Sequence, residues 1–106
     1  MTPVSEIPIT EAEAEIMDAL WRHGPLTPAS LMAAVKARRP WGEPTIKTLL
    51  GRLMRKHAVR SVRDDGRLLY HPQISLDAHR AAEIRALAAR LFDGDLERMR
   101  DFLAGL

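Results

Sequence analysis

The sequence predicts a mainly α-helical protein with one small β-hairpin, in which three helices and the hairpin form a domain and further helices follow. Three observations support this class. Apolar residues recur at helical spacing in five stretches, two short extended runs flank Asp65-Gly66, and Pro or Gly stands at most of the boundaries. A chain of 106 residues suits one domain with a small appendage.

The N-terminal region is predicted to be a loose arm over residues 1–9, followed by a helix. Thr10 and Glu13 have the spacing of a capping box, in which the threonine hydroxyl accepts from the glutamate amide and the carboxylate accepts from the threonine amide. The helix should end near His23, because Gly24 can adopt the left-handed conformation and the proline after it cannot continue a helix.

A second helix is predicted from Thr27 as its cap and Pro28 as its first residue to about Arg38. Pro44 should open the third helix, whose apolar residues fall on one side at about 100° per residue. These residues are Ile46, Leu49, Leu50, Leu53 and Met54. The opposite side carries Thr45, Thr48, Gly51, Arg52 and Arg55, with Lys47 on the flank.

The hairpin is predicted from Asp65-Gly66, a dipeptide that favours the positive φ angles of a two-residue turn. Such a loop places Val62 opposite Leu69, and Pro72 should end the second strand because it cannot donate to the ladder. Apolar and polar residues do not alternate strictly in these strands, so the pattern leaves open which face is buried.

Positive charge is concentrated in the third helix and the hairpin. Residues 44–72 carry seven Lys and Arg against two Asp, whereas the segments on either side each carry a small excess of acidic residues. A field focused in this way attracts polyanions. A threonine and arginine helix followed by a basic hairpin suits double-stranded DNA, with the helix in the major groove and the hairpin against the backbone.

The basic residues of this region are expected to divide between base reading and backbone contact. Arg52 can bond guanine O6 and N7 or a phosphate, and the methyl groups of Thr45 and Thr48 can pack on thymine methyls. Phosphate contacts orient a protein without reading the sequence, and we expect them from Lys56, Arg60, Arg63 and Arg67.

The C-terminal region, residues 73–106, is predicted to be a helical dimerisation segment that is interrupted at Asp93-Gly94-Asp95. Its apolar residues could pack back on the same chain. A partner chain is favoured, because helical proteins that read duplex DNA commonly dimerise to span two half-sites. The predicted dimer interface comprises Ile84, Leu87, Leu91, Phe92, Leu96, Met99, Phe102 and Leu103.

Several classes of function are excluded. The chain has no Cys, its four His lack metal-ligand spacing, and no catalytic constellation has a supporting motif. No stretch approaches the ~20 apolar residues of a membrane span, and the N-terminus lacks the features of a signal peptide. We therefore predict a cytoplasmic protein that is not an enzyme and that uses no metal, cofactor, membrane or small-molecule ligand.

Three segments resemble the penicillinase and methicillin-resistance repressors (BlaI/MecI) and their CopY relatives. They are ITEAEAEIMDALWRHGPLTPASL, WGEPTIKTLLGRLMRKHAV and DGRLLYHP, in the family's order and spacing. The resemblance implies a winged helix-turn-helix domain over residues 10–72 and a homodimer formed through C-terminal helices. It further implies a transcriptional repressor that binds inverted-repeat operators of the TACA/TGTA kind.

By position, the resemblance assigns Thr45, Lys47, Thr48 and Arg52 to the helix that reads bases, and Arg63 and Arg67 to the wing. His57 stands where the family usually ends this helix with Gly, so the chain should carry a left-handed non-glycine residue there. The alternative function is a winged-helix interaction module that docks an acidic protein and recognises no operator.

Overall fold

The computed structural model describes residues 7–106, so most of the predicted N-terminal arm lies outside the described residues. The first three helices are α1 (Glu11–His23), α2 (Pro28–Lys36) and α3 (Glu43–Arg55). An antiparallel hairpin of β1 (Val59–Asp64) and β2 (Arg67–Pro72) follows, and then α4 (Leu76–Phe92) and α5 (Leu96–Ala104). The predicted mainly α class with one small hairpin is confirmed.

The chain divides into two units, one that ends at Ser75 and one that covers Leu76–Leu106. In the first unit, α1 packs against α2 and α3, and the hairpin packs against all three helices. The core of this unit consists of apolar side chains from every one of these elements. Its buried members are Ile16, Met17, Ala19, Leu20, Leu31, Val35, Ile46, Leu49, Leu50, Leu53, Ala58, Val59 and Ile74.

The start of α1 is the capping box that the sequence predicts. The Thr10 hydroxyl accepts from the Glu13 amide at 3.1 Å, and the Glu13 carboxylate accepts from the Thr10 amide at 2.9 Å. At the other end Gly24 has φ 78°, and its amide donates to the Leu20 carbonyl at 2.9 Å. Both ends of α1 are therefore set by local chemistry.

The predicted boundaries of α2 and α3 need small corrections. α2 ends at Lys36, two residues before the predicted end near Arg38, and Ala37 after it still has αR dihedral angles. The Arg38 and Arg39 amides both donate to the Val35 carbonyl in the turn that follows. α3 begins one residue before Pro44, after Gly42 as its cap.

The hairpin has the predicted register, with Val62 opposite Leu69. Its turn residues Asp65 and Gly66 have φ 52° and 76°, the positive values that a tight two-residue turn requires. Val59 is buried against the helices, so the face that carries it is the inner one. This observation decides the question that the sequence pattern left open.

An isolated β-bridge links the segment between α1 and α2 to the hairpin. Leu26, between α1 and α2, exchanges two backbone hydrogen bonds with Tyr70, at 2.8 and 3.2 Å. The chain after the hairpin is held to α1 by the Trp21 indole, whose Nε1 donates to the Ile74 carbonyl at 2.8 Å. Neither link is predicted by the sequence, because a single extended residue and a lone indole have no periodic signal.

The second unit is a pair of helices joined at the predicted break. Asp93 and Gly94 have φ 51° and 82°, and the Asp95 side chain caps α5 by accepting from the Arg98 amide at 3.0 Å. Ala88 and Met99 are its buried apolar residues. In residues 7–106, no helix is long and apolar enough to cross a membrane.

Candidate nucleic-acid interface and partner surface

The polar side of α3 faces solvent as predicted. Its inner side buries Ile46, Leu49, Leu50 and Leu53, which hold the helix against the rest of the unit. The five predicted contact residues on the outer side are all exposed, namely Thr45, Lys47, Thr48, Arg52 and Arg55. Thr45, Thr48 and Arg52 line one shallow depression together with Pro44 and Leu49.

The cations of α3 and the hairpin differ from those of α1 and the α2–α3 turn in whether they form ion pairs with carboxylates. Arg22 and Arg38 form ion pairs with Asp18, and Arg39 forms one with Glu15 at 2.8 Å. In residues 7–106, no carboxylate pairs with any of five cations on α3 and the hairpin. They are Lys47, Arg52, Arg55, Arg60 and Arg67. These cations are therefore available to an external anion.

The three predicted hairpin arginines are exposed, but they do not share a face. Across the two strands, Arg60 lies opposite His71 and Arg67 lies opposite Asp64. Because side chains alternate between the two faces of a strand, Arg60 and Arg67 both lie on the outer face. Arg63 lies on the same face as Val59, near the tip, where its guanidinium approaches the Gly66 carbonyl at 3.5 Å. The hairpin thus presents two cations on one side and one on the other.

The ammonium of Lys56, which the sequence predicts to contact phosphate, binds other groups of the protein. Its ammonium donates to the Glu13 carboxylate at 2.6 Å and to the Pro8 carbonyl at 3.0 Å. Glu13 is 1% exposed, and a buried carboxylate without a cation would be unstable. Lys56, whose side chain is 31% exposed, therefore has an intramolecular partner that the sequence does not predict, and a phosphate contact at this residue stays a prediction.

The Glu13 carboxyl is ionised despite its burial. Burial by itself raises the pKa of Glu13, but the hydrogen bonds from Lys56 and Thr10, together with the charge of Lys56, lower it by more. The pKa of Glu13 consequently lies below its ordinary value. The sequence shows Glu13 only as a capping residue, and its pairing with a lysine 43 positions later has no local signal.

The second unit exposes much of the predicted dimer interface. Ile84, Leu91, Leu96, Phe102 and Leu103 are each about half exposed or more, and so is Leu106 at the end of the chain. Leu87 and Phe92 are half-buried, and Met99 is buried within the helix pair. The Phe92 and Phe102 rings meet at 5.6 Å between centroids, which holds α5 against α4.

Metal and catalytic chemistry have no support in the described part of the chain. Residues 7–106 contain no group of three or more His, Asp or Glu side chains that could hold a metal ion. The residues brought together at α3 are threonines and cations, which bind anions and base edges and do not form a nucleophile–base pair.

Comparison of sequences identifies relatives of this chain. The sequence profile of the penicillinase repressor family matches residues 9–104. The penicillinase repressor of Bacillus licheniformis is 26% identical over 91 residues, an alignment that covers 86% of this chain and 71% of the relative.

Two solved structures are similar in fold and sequence. The solution structure of monomeric Bacillus licheniformis BlaI in complex with the blaP half-operator matches with a TM-score of 0.62 and 29% identity, over 68% of this chain and 89% of that one. The solution structure of the DNA-binding domain of the repressor BlaI matches with a TM-score of 0.61 and 26% identity, over 74% and 93%. The predicted winged-helix architecture is thereby confirmed.

Proposed function

Since the chain belongs to the penicillinase repressor family, we propose that it represses transcription by binding an inverted-repeat DNA operator as a homodimer. The family is one of DNA-binding repressors and not of enzymes, which agrees with the sequence prediction. The protein is accordingly a DNA-binding repressor of the BlaI type. The homodimer, the paired operator and a cytoplasmic location are the parts that the proposal adds.

The observation that carries the proposal is the exposed side of α3. Its threonines can meet thymine methyls and base edges, and Arg52 can bond the two acceptors of guanine in the major groove. Lys47 and Arg55 have no carboxylate partner in residues 7–106, so they can neutralise phosphates beside the groove. The buried apolar side holds α3 against the rest of the unit, so the exposed side chains keep a defined spatial arrangement.

The hairpin supplies further backbone contacts in this proposal. Arg60 and Arg67 share the outer face and can bind phosphates of one strand. Arg63 lies on the other face, where it can reach a phosphate only near the tip. We therefore assign the larger part of the hairpin contact to Arg60 and Arg67.

Symmetry connects the second unit with the operator. An inverted repeat has two-fold symmetry, so a two-fold dimer places one α3 in each half-site. The related BlaI was solved as a monomer on a half-operator. The exposed apolar residues of α4 and α5, among them Leu91 and Phe102, provide the surface by which two copies can associate.

A binding titration tests the proposal. The operator probe is a duplex that carries an inverted repeat of TACA/TGTA half-sites, and the scrambled probe has the same bases in random order. We expect clear preference for the operator probe, and a log–log salt slope of about −7 if the dimer makes about eight phosphate contacts. Equal binding of the two probes would instead favour an interaction module that docks an acidic protein. A slope shallower than about −3 would contradict the DNA footprint.

A further inference from the structure

Three separate parts of the first unit meet at the carboxylate of Glu13. Its Oε1 accepts from the Thr10 amide at 2.9 Å and from the Lys56 ammonium at 2.6 Å. The same ammonium donates to the Pro8 carbonyl at 3.0 Å. The segment before α1, the first turn of α1 and the end of α3 are thus joined by one ion pair, whose carboxylate is buried and whose lysine side chain is 31% exposed.

Lys56 lies at the junction of the two elements that we assign to DNA binding. Its amide closes α3 by donating to the Arg52 carbonyl at 3.0 Å. The next residue, His57, has φ 63°, and Ala58 and Val59 after it are buried as β1 begins. A rotation of α3 about its own axis would therefore move both the helix face and the start of the hairpin.

The buried apolar side of α3 is close-packed and holds the helix against the unit, and the ion pair adds a directional contact at the end of α3 where the hairpin begins. A charge-assisted hydrogen bond is directional, and the one from Lys56 to Glu13 is short, at 2.6 Å. Replacing a buried ion pair by apolar residues often costs little stability, so orientation is the property that this pair supplies and an apolar pair would lack.

We propose that the Glu13–Lys56 ion pair sets the orientation of α3 against α1 and so determines how well the protein distinguishes its operator from other DNA. This inference rests on the proposed function. Lys56 is a positioning residue that acts through Thr45, Thr48 and Arg52 and does not itself contact DNA. A misoriented helix loses base-edge contacts, which need exact geometry, but keeps phosphate contacts made by long, flexible side chains.

The test compares Lys56→Met with two matched variants, on the operator and scrambled probes, well below the melting temperature of each protein. Lys56→Arg keeps a cation at this position, and Ile16→Val loosens the core of α1 without touching the ion pair. We expect Lys56→Met to lose at least tenfold of its preference for the operator probe, with scrambled-probe affinity nearly unchanged. Lys56→Arg should restore most of that preference, and Ile16→Val should keep it.

Two results would overturn the inference. An equal loss on both probes, with a salt slope shallower by about one, would make Lys56 a phosphate contact. A lower melting temperature with the preference retained would make the pair merely structural. If Lys56→Met does not fold, the double variant Glu13→Gln/Lys56→Met takes its place, because it removes both charges and leaves no unpaired buried carboxylate, and the same outcomes apply.

The wild-type arm separates this inference from the proposed function. A wild-type protein that does not prefer the operator probe refutes the proposed function, and the inference falls with it. A wild-type protein that prefers the operator, beside a Lys56→Met variant that prefers it equally, refutes the inference alone.

Discussion

At the scale of single residues, some cations of the first unit form ion pairs with carboxylates and others form none. Arg22, Arg38 and Arg39 are matched by Asp18 and Glu15, so little net charge remains on that part of the surface. In residues 7–106 the cations of α3 form no ion pair, so their charge is available to a phosphate. This difference is a property of pairs, and formal charge alone does not reveal it.

Arg52 offers the sharpest residue-level prediction. Arg52→Ala should weaken binding to the operator probe by roughly 1–3 kcal/mol, with little change on the scrambled probe, because a bidentate contact to guanine is lost. The matched control is Arg22→Ala, which removes the same charge from an arginine already paired with Asp18. Competition titrations at fixed salt measure both variants. Equal losses on both probes would demote Arg52 to a phosphate contact.

At the scale of secondary-structure elements, the ends of α3 are set differently from those of α1. Gly42 caps α3 without a side-chain hydrogen bond, whereas α1 begins with a complete capping box. Beyond the end of α3, His57 occupies the left-handed region at φ 63°, where a side chain is strained. The position is as the family resemblance predicts, and the strain is retained in this chain.

Relieving that strain should stabilise the protein. His57→Gly should raise the free energy of unfolding by about 1 kcal/mol relative to His57→Ala, because Ala removes the imidazole but keeps the strained Cβ. Urea denaturation with a common slope measures the difference. Glycine and alanine variants of equal stability would show that the left-handed backbone carries no cost at this position.

At the scale of the whole chain, the two units differ in how fully they bury their apolar residues. The first unit has a core drawn from all its elements, whereas α4 and α5 together bury Ala88 and Met99 and expose larger side chains. Helices as short as α5, with nine residues, are marginal by themselves in water. The second unit therefore exposes the apolar surface that the proposed dimer would bury.

Disruption of that surface should separate the proposed dimer. Leu91→Asp and Phe102→Asp are each expected to give monomers in sedimentation velocity, because a carboxylate would have to be buried without a cation. Ala89→Asp adds the same charge at an exposed position of the same helix outside the apolar set, and should leave the dimer intact. If the Leu91 and Phe102 variants remain dimeric, the proposed interface is incorrect.

The sequence by itself determined the features whose causes lie within a few residues. The capping box of Thr10 and Glu13, the turn at Asp65-Gly66 and the break at Asp93–Asp95 follow from local backbone and side-chain chemistry. The two faces of α3 follow from helical periodicity, so Thr45, Thr48, Arg52 and Arg55 are exposed as predicted, whereas Gly51 on the same side is half-buried.

Only the tertiary structure decided the features that join distant residues. The tertiary structure pairs Lys56 with Glu13 and joins Leu26 to Tyr70 in a β-bridge. It also buries Met99 and determines which face of the hairpin packs against the helices. Each of these features depends on which surfaces come into contact when the chain folds. The residues adjacent in the sequence do not determine those contacts. A lysine that looks like a phosphate contact can therefore be engaged by a carboxylate 43 positions away.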